Sequence, residues 1–135
     1  MAAQPFDWSQ FLTLAQELAR RPQEASLRSS VSRAYYFVYN LALARAARNG
    51  FESIRGESTH VQLWRLYNDS PEGACIALGQ IAQRLKEKRE RADYSPVYAR
   101  IQEEVPQVLT DAQDFAERLA SLPDRHPSPS AVRHW

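Results

Sequence analysis

Histidine is the side chain whose ordinary pKa lets it take and give protons at neutral pH, and this chain has three: His60, His126 and His134. The last two fall beyond Pro123, in a stretch holding three prolines and two serines. Acid–base chemistry in the folded part therefore rests on His60. Its place at the start of a short helix suits a capping or surface role as well. Arg55 stands four intervening residues before it, but that pair straddles a loop.

The basic run RLKEKRER over 84–91 holds five cations and two carboxylates, which suits a solvated helix face with local ion pairs. At about 100° per residue, Arg84, Lys88 and Arg91 share one polar face. Arg89 does not; it projects onto the arc of Leu78, Ile81, Ala82, Leu85 and Ala92. A guanidinium on an apolar arc needs a partner, because an unpaired buried charge is very costly. Asp93, one turn on, can supply it, or Arg89 can line a subunit interface. On another helix Arg33, Phe37 and Asn40 group opposite the main apolar stripe. An exposed phenylalanine there would stack a base or pack against a second chain. The sequence has no glycine-rich phosphate loop, no HExxH, no Cys/His ligand cluster and no nucleophile elbow. Glu103, Glu104, Asp111 and Asp114 sit on an ordinary polar face, so neither a metal nor a cofactor is expected.

Helices must position these groups. Glycine is scarce, at four, while Ala, Leu, Gln, Glu and Arg abound, a mixture of good helix formers. Trp8, Phe11, Ala15, Leu18 and Ala19 recur at threes and fours, predicting a first helix with Asp7 as its N-cap. A second is expected over 24–48, stopped by Asn49-Gly50. Its apolar face (Leu27, Val31, Ala34, Tyr35, Val38, Leu41, Ala42, Ala46), widened by Tyr36, Tyr39 and Leu43, suits a central bundle helix. Ser58 should cap a short third helix with Val61, Trp64 and Tyr67 inward. A fourth is expected over 72–93. Ser95-Pro96 offers a cap and first-turn proline for a fifth, whose apolar series runs from Tyr98 to Leu122, with Pro106 predicting a kink or break near Gln102. The expected fold is all-α, an antiparallel four- to five-helix bundle over 1–122, with the second and last long helices antiparallel and 123–135 a tail.

Bulk properties narrow the classes. At 135 residues one domain is expected, able to bury roughly two-thirds of its unfolded surface without staples. Seventeen basic residues nearly cancel sixteen acidic ones, so a nucleic-acid site would have to be a local patch. Cys75 is the lone cysteine, which rules out an intrachain disulfide. No signal peptide or membrane span is evident, and a cytoplasmic location is expected.

Three stretches in this order carry a family resemblance: SRAYYFVYNLALA over 32–44, STH over 58–60, and LKEKRERADY over 85–94, followed by a helix with AQDF over 112–115. Together they resemble the HEPN family (higher eukaryotes and prokaryotes nucleotide-binding), in its prokaryotic branch with an SRAYY helix and an R-x-x-ADY turn, over roughly 24–122. The resemblance implies a helical bundle that dimerises. Many members are metal-independent ribonucleases of toxin–antitoxin, CRISPR-linked or phage-defence systems; others are non-catalytic partners of small nucleotidyltransferases. Active members carry an arginine, four to six intervening residues, then a histidine acting as general acid or base while the arginine stabilises phosphate charge. Arg89 matches that arginine, but Asp93 and Tyr94 stand where the histidine is expected. His60 would have to approach from a neighbouring helix or from the other subunit. The implied catalytic set is thus Arg89, Asp93, Tyr94 and His60, for an RNA- or nucleotide-directed effector. The alternative is a non-enzymatic helical partner of its own copy, an antitoxin or a nucleotidyltransferase.

Overall fold

The computed structural model describes residues 4–129. Five helices follow one another: α1 (Ser9–Leu18), α2 (Glu24–Arg48), α3 (Thr59–Asn68), α4 (Gly73–Tyr94) and α5 (Ile101–Ala120), with no strand among the described residues. The all-α reading holds, and α2 keeps the bounds its sequence predicts. It touches all four other helices. Leu27, Val31, Ala34, Tyr35, Val38, Ala42 and Ala46 are all buried in a core closed by Leu63, Leu66, Tyr67, Leu78, Leu85, Val108 and Phe115. None of the helices is long and apolar enough to cross a membrane.

Helices joined by short connections run antiparallel. The Ser30 hydroxyl donates to the Ala15 carbonyl across α1 and α2, and the start of α2 meets the end of α4 where Arg28 donates to Ala92 and Ser95 carbonyls. The expected antiparallel pairing of α2 with α5 is wrong. Arg45, near the end of α2, reaches Leu119, near the end of α5, while Leu27 and Val105 line one groove near both starts. The two run parallel because α3 is short and α4 is the full-length return between them.

Several local expectations need correction. Val61 is exposed, and the inner face of α3 is Leu63, Trp64, Leu66 and Tyr67. The helix α5 starts at Ile101, not after Ser95-Pro96. Arg28 holds the Ser95 carbonyl, and Ser95 donates its hydroxyl to Val97, so 95–100 form a connector with Tyr98 buried inside it. Pro106 does not break α5; the carbonyl it deprives of a helical partner is that of Gln102, in the exposed first turn. Phe37 is buried, not exposed, because α1 packs over that side of α2. The N-cap of α1 is Trp8, not Asp7; Asp7, one residue earlier, accepts from the Ser9 amide and hydroxyl at 3.0 and 2.6 Å.

The loop before α3 is tied down by its own helix. Gln62 accepts from the Ile54 amide and donates to the Ile54 and Glu57 carbonyls, and Ser58 caps α3 by accepting from the Val61 amide. Gly56 turns the loop at φ +87°, a conformation that a Cβ would strain. These contacts fix His60 in the first turn of α3. Beyond Leu122, residues 123–129 lie on the bundle instead of trailing from it: Pro127 is fully buried, and the Ser128 amide donates to Glu72. His134 lies outside the described residues.

Candidate functional site

Arg89 is where its helical phase puts it, 7% exposed on the inner arc of α4. Its guanidinium carbon lies 5.0 Å from the Tyr35 ring centre, 5.5 Å from that of Tyr36 and 6.0 Å from that of Tyr94. Aromatic faces stabilise a desolvated cation. The expected pair with Asp93 exists but is loose, at 3.8 Å, and Asp93 also accepts from the Ser32 hydroxyl at 3.3 Å. Arg89 Nε is sealed from solvent without a hydrogen-bond partner among the described residues. The guanidinium is thus held by π faces and a weak ion pair, its donors unspent.

His60 belongs to the same cluster. Its Nδ1 sits 2.6 Å from the Tyr35 hydroxyl, which also accepts from Trp64 Nε1 at 3.0 Å. The imidazole stacks on Tyr39 at 3.9 Å and on Tyr35 at 5.6 Å between ring centres. Burial, then the positive charges of Arg89 and Lys86, hold its pKa below the usual 6.5, against a smaller opposing effect of Glu90. His60 is therefore neutral at pH 7. Burial likewise pushes the Tyr35 hydroxyl well above its ordinary pKa, so it stays protonated. The tyrosine rotor then sets the tautomer. While Tyr35 donates to Nδ1, Nε2 carries the hydrogen; when the hydroxyl turns away, Nδ1–H donates to it and Nε2 is a free base.

The fold thus joins α2, α3 and α4 at one place. Arg89 and His60 share the rings of Tyr35 and Tyr36, Asp93 pairs with Arg89, and Tyr94 stands at the rim, 76% exposed. Arg55 stays exposed in the loop before α3. Sequence reasoning missed the bridging roles of Tyr35 and Trp64, which it counted as core. Their one legible signal was the polar end of each ring, since a buried tyrosine or tryptophan needs a partner for it. Among the described residues no group of three or more His, Cys, Asp or Glu side chains could hold a metal. No family model, no curated protein and no solved structure matches this chain.

Proposed function

We propose that the chain is an HEPN-like, RNA-directed effector of the toxin–antitoxin or phage-defence type, acting as a metal-independent ribonuclease through Arg89 and His60. What supports the reading is one observation: an arginine and a neutral histidine from different helices meet on the same pair of tyrosine rings. In this role Arg89 stabilises the charge that builds on a phosphate oxygen in the transition state. His60, in its Nε2-free tautomer, takes the proton of the attacking 2′-hydroxyl; the O2′–P bond forms as the P–O5′ bond breaks, leaving a 2′,3′-cyclic phosphate, and the imidazolium returns the proton to the leaving 5′-oxygen, while Tyr35 orients the ring. Asp93 restrains the guanidinium until a phosphate replaces it, and Tyr94 offers a face on which a base stacks. The assembly proposed is a homodimer with the 89–94 segment near its interface, checked by sedimentation at micromolar concentration.

A second reading, a non-catalytic helical partner of a nucleotidyltransferase or antitoxin, is favoured by the exposure of Tyr94 at the end of α4 and of Val97 in the connector after it, 76% and 69%. Cleavage of a labelled RNA by wild type, Arg89→Met, His60→Gln and Asp93→Asn separates the two. The effector reading expects at least a hundredfold loss for Arg89→Met and for His60→Gln. Equal, background-level cleavage by all four proteins favours the partner reading.

A further inference from the structure

We propose that Arg33, with Ser29 beside it, forms a second phosphate-binding subsite that holds a neighbouring phosphodiester of a single-stranded RNA; this rests on the reading of Arg89 above. Arg33 was expected beside an exposed Phe37, and the burial of that ring leaves the arginine as the chemically available group on this side of α2. Its guanidinium carbon lies 4.8 Å from the Phe11 ring centre, on α1, and 5.2 Å from that of Tyr36. Two rings from two helices thus fix the guanidinium in place. Among the described residues, no carboxylate pairs with it and no hydrogen bond engages it.

Arg33 lines a groove of about 610 Å³ together with Arg28, Ser29, Ser32, Tyr36 and Asp93. Other donors there are committed. Arg28 is bonded to Glu24 and to the carbonyls that end α4, and the Ser32 hydroxyl donates to Asp93. Ser29 is exposed, and its hydroxyl makes no hydrogen bond among the described residues. The groove's one carboxylate, Asp93, already faces Arg89 at 3.8 Å. What remains open is a planar, pre-oriented guanidinium edge and a hydroxyl, the donor set that suits a phosphate oxygen pair.

The position of this edge says what kind of ligand it takes. The Tyr36 ring carries Arg33 at 5.2 Å and Arg89 at 5.5 Å, so two cations flank one aromatic ring. Bringing two like charges together costs energy that anions relieve. A ligand with successive phosphates answers both cations at once, and the half-buried Tyr36 and exposed Tyr94 beside them suit stacked bases of a flexible strand.

The test is fluorescence anisotropy with a labelled oligouridylate of about ten nucleotides, titrated at several salt concentrations, alongside the dinucleoside monophosphate UpU. Arg33→Gln is expected to weaken oligouridylate binding about tenfold and to lower the salt slope by about 0.7, while UpU binding stays unchanged. Ser29→Asp, at an exposed position, should weaken the oligonucleotide similarly and decides the matter if Arg33→Gln loses its fold. Wild-type affinity and slope in both variants, with binding lost in Arg89→Met, overturns the second subsite and leaves the functional reading standing. Weakened binding in both, with Arg89→Met unaffected, supports the subsite and removes Arg89 from the functional reading.

Discussion

Arg89, His60 and Tyr35 form a unit in which each group fixes the state of the next. Burial, with the guanidinium and the nearby Lys86, disfavours a positive charge on His60, and the neutral imidazole in turn shares a hydrogen bond with a tyrosine that burial keeps protonated, its direction set by the tautomer. The pH dependence follows with a definite sign. In the unfolded chain His60 takes up its proton near pH 6.5, whereas the fold resists it until lower pH. Its contribution to stability is thus complete above about pH 6.5, falls as the pH drops towards the folded-state pKa, and levels off below that. The gap in melting temperature between wild type and His60→Gln should therefore narrow on going from pH 7.5 to pH 5. A gap that stays constant would show that His60 titrates alike in both states.

The elements are held by close approaches as much as by apolar area. Gly79 lets the end of α3 approach α4: a Cβ there would run into the side-chain oxygen of Asn68 and come within 3.2 Å of its backbone nitrogen. Gly79→Ala should destabilise by about 1 kcal/mol net, the crowding outweighing the gain in helix propensity. Combining it with Asn68→Ala should recover part of the loss, as denaturant unfolding of the double-mutant cycle would register. At this scale much was legible in the sequence. The period of α2, the Ser58 cap and the inward phase of Arg89 follow from spacing alone. The start of α5 was not legible, because Ser95-Pro96 is an equally good start signal, and what overrides it is Arg28, distant in sequence. Val61 and Phe37 were misplaced for a related reason: periodicity assigns a face, but only packing by α1 and α4 decides which face is covered.

Across the whole molecule, the two ends of α2 are each tied by an arginine. Arg45 donates to the Leu119, Pro123 and His126 carbonyls and pins 123–129 to the bundle, which composition alone marked as a tail because prolines and serines look alike in tails and in docked segments. Arg45→Ala should destabilise by roughly 3 kcal/mol, seen as a fall in melting temperature together with faster proteolysis after Leu122. Packing of α3 and α4 beside α2 sets His60 and Arg89 on the same tyrosine rings, a meeting that no motif spacing contains. The most direct test of the central claim, that Arg89 is kept inside the bundle for a phosphate and not for stability, is Arg89→Met, which preserves the side-chain stem and removes the charge. Replacing a buried cation by an apolar side chain of similar size is often neutral for folding. The account predicts a melting temperature within a few degrees of wild type with RNA binding and cleavage lost; unchanged binding and cleavage in the folded variant would contradict it.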